Sequence, residues 1–184
     1  MKELSLNILD IAQNSLKAGA TLLEILLNEN KEVLTIVIND NGCGMSREIL
    51  ENVTNPFYTT RTTRKVGLGI PFFKEAAEQT GGTFEIASTE RSVDPENCGP
   101  RVTAVFKTDS IDFTPIGDIV STLTTLVHGS PEVDLVFLHH TDNGEVSLDT
   151  REMREVLGDI PLNSPEILEF IRTNLETEYK TIKK

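Results

Sequence analysis

Two runs of strict alternation, Thr21 to Asn28 and Glu32 to Asn39, stand either side of the turn-forming stretch Asn28-Glu29-Asn30. Side chains on a strand point alternately to its two faces, so such a pair reads as a β-hairpin with one apolar face that another layer must cover. A helix lies directly before it. From Glu3 to Ala18 the residues Ile8, Ile11, Ala12 and Ser15 recur at spacings of three and four, an amphipathic pattern that Gly19 ends. After a loop rich in Thr, Arg and Pro from Asn41 to Val66, Pro71 to Thr80 reads as a second helix, with Phe73, Ala76, Ala77 and Thr80 on one stripe and Gly81-Gly82 as its stop. Thr83 to Ser88 and Arg101 to Lys107 form another strand pair. These elements predict an α+β fold with helices on one face of a largely antiparallel sheet.

The pattern breaks near Asp109 to Pro115. Beyond it the sequence predicts a helix around Ile116 to His128, strands at Asp134 to His140 and Glu145 to Asp149, and helices at about Arg151 to Leu157 and Ser164 to Glu178. The chain is therefore divided into residues 1–108 and a smaller C-terminal α+β appendage, 109–184, with no visible catalytic motif.

Seventeen Lys and Arg against twenty-nine Asp and Glu give a net charge of -12, which repels a phosphate backbone and speaks against general nucleic-acid binding. No apolar run approaches the roughly 18 residues of a membrane helix, and no basic then apolar leader opens the chain, so the expectation is a cytoplasmic protein. Cys43 and Cys98 are too few for a disulfide framework or a four-ligand zinc site. His139 and His140 are adjacent in a strand and point to opposite faces, so they cannot grip one metal together; His128 closes a helix, where a cation suits the dipole.

Candidate chemistry concentrates in the first part. Asn7, Asp10 and Asn14 project along one side of the first helix and Lys17 continues the row, which is either an ordinary solvated face or a site. Asp40 ends the core-facing row of Leu34, Ile36 and Ile38, where a carboxylate is costly unless something pairs with it. Gly42 and Gly44 follow, letting the backbone turn and approach a ligand closely. A carboxylate beside glycines suits the N6 amine of adenine; a plain Asn-Gly turn is the alternative. Val66-Gly67-Leu68-Gly69-Ile70-Pro71 is a glycine-rich turn opening a helix, where free N–H groups and the helix dipole favour phosphate. It matches neither a dinucleotide fingerprint nor a P-loop. Just before it, Asn55-Pro56-Phe57-Tyr58-Thr59-Thr60-Arg61 and Arg64-Lys65 gather hydroxyls and cations in a candidate phosphate lid.

In this order, Asp40-Asn41-Gly42-Cys43-Gly44-Met45, Asn55 to Arg61 and Gly67-Leu68-Gly69-Ile70 resemble the nucleotide-binding boxes of the gyrase, chaperone, histidine kinase and MutL ATPase superfamily. Asn14 to Thr21 is similar to its asparagine box, with a MutL-like wording. The resemblance implies a two-layer α/β sandwich, with a mostly antiparallel mixed sheet, helices on one face and ATP held between them. It implies that Asn14 coordinates the Mg²⁺ bridging the ATP phosphates, with Lys17 near those phosphates. It implies that Asp40 accepts the adenine N6 hydrogen while Gly42, Gly44 and Met45 shape the base pocket. Phe57 and Tyr58 would form the hinge of the lid, Thr60, Arg61 and Lys65 would serve it, and Gly67, Leu68 and Gly69 would cradle phosphate. Three departures accompany it. Asp10 stands where hydrolysing branches carry a Glu that activates water. Gly99-Pro100-Arg101-Val102 replaces the usual final Gly-Thr, so the Thr contact to the base is missing or moved to Thr103. The chain begins at the asparagine box, leaving no room for the phosphoacceptor helix of histidine kinases.

The expected function is that of a stand-alone, ATP- and Mg²⁺-dependent regulatory protein that transfers phosphoryl to a partner protein in trans, with Asp10 as base. Anti-sigma factors, which phosphorylate a partner's Ser, resemble this compact layout. The alternative is a nucleotide-gated protein-binding module with little turnover, and a MutL-like DNA role comes third because of the charge.

Overall fold

A computed structural model describes residues 3–58 and 68–183. The chain runs α1 (Leu4–Lys17), β1 (Leu22–Glu29), β2 (Val33–Asp40), α2 (Arg47–Asn52), α3 (Gly69–Gln79), β3 (Thr83–Thr89), β4 (Gly99–Lys107), α4 (Ile119–Gly129), β5 (Asp134–Thr141), β6 (Gly144–Asp149), α5 (Thr150–Leu157) and α6 (Pro165–Ile182). The strands form one six-stranded sheet in the order β3-β4-β2-β1-β5-β6. All neighbours are antiparallel except β1 and β5, which run parallel.

One face of this sheet carries the core. Leu23, Ile25 and Leu27 of β1 stand opposite Ile38 and Ile36 of β2 and Leu135 and Phe137 of β5, and all are buried. Val102, Ala104 and Phe106 of β4 and Val146 and Leu148 of β6 extend the same face. Helices α3, α1, α4 and α6 lie over it side by side: α1 touches α3 and α4, α4 touches α6, α3 covers β3 and β4, and α6 covers β6. At the β4 side Phe73 of α3 packs on Phe84 and Phe106, with ring centroids 6.3 and 5.6 Å away. The α+β class, the largely antiparallel sheet and the helical layer are those the pattern predicts, and the mixed sheet is the one the resemblance implies.

The elements after residue 108 are built into that same sheet and core. β5 adds to the β1 edge over Leu22–Glu29, so it supplies the partners for the β1 backbone N–H and C=O groups that point away from β2. The approach to α4 also serves α1 directly. Leu4 and Ser5 donate their N–H groups to the carbonyls of Pro115 and Ile116 at 2.9 and 2.8 Å, and Thr122 Oγ1 donates to Ser5 O at 3.2 Å. The first-turn amides of α1, which have no side-chain cap, thus find their acceptors in residues 115–116. The fragment 1–108 is expected to lack a cooperative thermal transition and to aggregate through its bare β1 edge, whereas the full chain melts in one step. Circular dichroism and light scattering of the two proteins check this, and a soluble fragment with its own sharp melt would contradict it.

Three local differences from the pattern have physical causes. The stretch expected to be loop throughout, 41–66, contains the six-residue α2, capped by Ser46 Oγ accepting Ile49 N–H at 3.3 Å; with no buried residue, it leaves no apolar period to read. α4 starts at Ile119, not Ile116, because Gly117 has φ +77° and Asp118 caps the helix by accepting from Ser121 N at 2.9 Å. α3 starts at Gly69, ahead of Pro71.

Candidate functional site

The site is assembled around the C-terminal half of α1. Its inward row ends at Ser15, buried against the sheet, whose hydroxyl donates to Ile11 O at 3.3 Å and stands beside Asp40, the last residue of β2. Asp40 is only 8% exposed and faces the helical layer, as the parity of Ile36 and Ile38 requires. Its Oδ1 also accepts the Gly42 N–H at 2.7 Å. This donor occupies one of the roughly four lone-pair sites of a carboxylate, which leaves room for a ligand donor. Burial pushes the Asp40 carboxyl above its ordinary value of 3.8, and the neighbouring Ser15 hydroxyl and Gly42 N–H oppose this in part.

That shift has a defined sign. The folded chain holds the Asp40 proton more tightly than the unfolded chain, so the stability it contributes is full below pH 3.8 and is lost as pH rises through the raised folded pKa. In Asp40→Asn, which cannot titrate there, the term is absent. The melting temperature of the ligand-free wild type is therefore expected to rise relative to Asp40→Asn as pH falls from 7 toward 4. A gap independent of pH would remove the burial argument.

The loop after β2 is clamped from three sides. Asn41 Oδ1 accepts the N–H groups of Thr21 and Leu22 at 2.8 and 2.9 Å, and its Nδ2 donates to Thr21 Oγ1 at 2.8 Å. Cys43 N–H donates to Ala18 O, and Met45 N–H to Ser88 Oγ. Arg91 closes the third side through its guanidinium on Asn41 O and its N–H on Cys43 O, both 2.9 Å. Within this frame Gly42 lies against the carboxylate, where an added Cβ would come 2.8 Å from Asp40 Oδ1 and 3.2 Å from Ala18 Cβ. Gly44 has φ +74° and an added Cβ would overlap the carbonyl of Thr89, so it serves the docking of this loop on β3. Met45 is half-buried on the edge of the core.

One residue back on α1, the second half of the site begins. An added Cβ at Gly69 would meet Asp10 Cβ at 3.4 Å and Asn14 Nδ2 at 3.7 Å, so the start of α3 abuts the polar row of α1. α3 has no side-chain N-cap, and Pro71 lacks an N–H, which leaves early amides such as Gly69 and Ile70 for an external acceptor. Asn14 and Ser15, neighbours in sequence, thus face the two halves: Asn14 the α3 terminus and Ser15 the buried carboxylate. Asp10 and Lys17 are exposed, Lys17 in the last turn of α1. Leu68 is exposed beside Gly69.

Phe57 is 82% exposed in an Asx turn, its N–H on Asn55 Oδ1 at 3.0 Å, and Tyr58 N–H bonds Asn55 O. Thr60, Arg61, Lys65 and Gly67, with Arg64 and the rest of the expected lid after Tyr58, lie outside the described residues. Thr103 is corrected: it stands on the opposite sheet face from Val102, Ala104 and Asp40, and cannot take over a contact to a base held at Asp40. The residues that sequence reasoning missed are Ser15, Ala18, Ser88 and Arg91. Ser15 sat within an apolar stripe, where its small size explained it, and the others act through backbone partners that no spacing announces.

His139 and His140 do point to opposite faces. His139, 3% exposed, joins Glu29 Oε2 through Nε2 and the Tyr179 hydroxyl through Nδ1, both at 2.9 Å. Burial and the carboxylates of Glu29 and Glu178 raise the Tyr179 phenol, which keeps its proton. This chain ties β1, β5 and α6 together. Among the described residues no group of three His, Cys, Asp or Glu side chains could hold a metal, and no helix is long and apolar enough to cross a membrane.

Residues 1–110 match the family model described as histidine kinase-, DNA gyrase B- and HSP90-like ATPase. Among curated relatives, the CAI-1 autoinducer sensor kinase/phosphatase CqsS of Vibrio cholerae is 35% identical over 66 residues, 36% of this chain and 10% of that protein. The sensor histidine kinase CpxA of Escherichia coli is 32% identical over 78 residues, 40% of this chain and 17% of that protein. The chain thus corresponds to a small part of these kinases. In fold it is similar to the Aquifex aeolicus MutL ATPase domain complexed with ADP, with TM-score 0.54 and 14% identity over 100% of this chain and 98% of that one. It is also similar to the N-terminal domain of a DNA repair protein, with TM-score 0.60 and 14% identity over 95% of this chain and 57% of that one. With the family model spanning α1 to β4 and thus both halves of the site, the chain belongs to the histidine kinase-, DNA gyrase B- and HSP90-like ATPase family.

Proposed function

We propose that the protein binds ATP with Mg²⁺ between α1, α3 and the end of β2, and passes the terminal phosphoryl to a partner protein as a cytoplasmic regulator. The observation that carries this is the continuity of α1, whose last turns set Ser15 and Ala18 beside the buried Asp40 and its Gly42, and Asn14 against the start of α3. A base-recognising carboxylate and a phosphate-favouring helix terminus are thereby held on one rigid rod. Asp40 accepts the N6 hydrogen of adenine, and Gly42 lets the base edge come close to the carboxylate. The amides of Gly69 and Ile70 and the cation of Lys17 serve the phosphates. The side-chain oxygen of Asn14 is a hard donor of the kind Mg²⁺ accepts alongside phosphate and water oxygens, and a metal held this way needs no carboxylate cluster. Bound there, Mg²⁺ supplies neutralisation of phosphate charge. Asp10 takes the proton of the attacking hydroxyl at its carboxylate.

The second reading, a nucleotide-gated binding module, is favoured by Asp10 itself, whose side chain is one methylene shorter than Glu. An assay with γ-labelled ATP in lysate, comparing wild type with Asn14→Ala, separates the two. Label passing to a second protein, and lost in Asn14→Ala, supports transfer. Retention of ATP with no labelled protein supports the module.

A further inference from the structure

At the sheet edge farthest from Asp40, β6, α5 and α6 enclose an open groove of about 450 Å³. Its lining includes the apolar Leu148, Met153, Phe170 and Ile171 and the acids Asp149, Glu152 and Glu178, of which Asp149 is paired with Arg151. Phe170 is 60% exposed, so the groove offers apolar surface to solvent beside the buried Ile171. The strand edge itself is guarded, because Glu178 Oε2 accepts the Ser147 N–H at 3.0 Å and its Oε1 accepts from Asn174 Nδ2. That N–H is already taken, so the groove's lining side chains are the groups a partner meets there.

Charge identifies the kind of partner. Residues 109–184 hold fifteen Asp and Glu against six Lys and Arg, so a net charge of nine negatives out of the chain's -12 falls on this part. We infer that the groove docks a basic segment of a partner protein that carries an apolar side chain, the apolar group lying between Met153 and Phe170 and its Lys or Arg neighbours facing Glu152 and Glu178. Electrostatic attraction brings the segment in, and the apolar anchor fixes it. A second copy of this chain is disfavoured as occupant by its own like charge. The assignment is independent of the ATP reading.

Three labelled eight-residue probes test it by fluorescence anisotropy: alternating Lys and Leu, alternating Lys and Ser, and alternating Glu and Leu. The Lys-Leu probe should bind saturably, and at least about tenfold more tightly than the other two. Met153→Arg and Phe170→Ser should each weaken it about tenfold, and the melting temperature of each variant reports its fold. Phe170, being exposed, gives a variant that keeps the core intact. Equal binding of the Lys-Ser probe would reduce the effect to non-specific attraction and overturn the proposal, as would unchanged affinity in Phe170→Ser. A wild-type dimer in sedimentation that dissolves in Phe170→Ser would assign the groove to a second copy and also overturn it.

Discussion

Asp10→Asn is expected to lower single-turnover conversion of ATP by about 10² to 10⁴, the usual worth of a positioned general base. Affinity for ATP should stay unchanged, because the groups assigned to the base and the phosphates, Asp40, Asn14 and the start of α3, are untouched. The geometric ground is that the α3 terminus lies against both Asp10 and Asn14, within 3.4 Å of the Asp10 Cβ from the position a Gly69 side chain would take. Asp10 is also solvent-exposed and close to the main-chain amides assigned to the phosphates. Its reach is short by one methylene, so wild-type turnover should be slow and Asp10→Glu should raise it. Rates at saturating Mg-ATP for the three forms check this. Three equal rates would take Asp10 out of the chemistry and leave the nucleotide-gated module as the function.

The second large effect is thermal. Saturation with Mg-ATP at 100 times its dissociation constant should stabilise the wild type by about 2.7 kcal/mol, which for a chain of this size is roughly 5 to 11 °C in melting temperature. GTP should give much less, since its O6 accepts where adenine N6 donates, and two acceptors would face each other at Asp40. Asp40→Ala removes a charged hydrogen-bond acceptor worth about 1.5 to 3 kcal/mol, so at the same ATP concentration most of the shift should vanish. Equal shifts with ATP and GTP, or a full shift in Asp40→Ala, would show that this carboxylate does not select the base.

Much of this was legible because the local patterns and the tertiary packing agree. The alternation of Leu34, Ile36 and Ile38 fixed the face on which Asp40 lies, and the row of Ile8, Ile11, Ala12 and Ser15 fixed the buried side of α1. The face of Thr103 was equally legible, since Val102, Ala104 and Phe106 alternate with it on the core side. The pairing of β1 with β5 was not. It joins Leu23 to Leu135 across more than a hundred residues, and nothing in either strand's own alternation names its neighbour. The cap that residues 115–116 provide for α1 is invisible for the same reason, as is the bond of Arg91 to Asn41: both run to carbonyl oxygens, which every residue has. Ser15 was masked by its position, because a small side chain in an apolar row needs no partner to account for it.

The central claim is that one nucleotide site spans Ser15 and Asp40 at one end and Asn14 and Gly69 at the other. Amide chemical shifts recorded during titration with Mg-ATP test it most directly. The account predicts saturable shifts at Ser15, Gly42 and Gly69 together, with the amides of β6 and α6 unmoved. Shifts absent from these three amides, or confined to one end of the site, would contradict it.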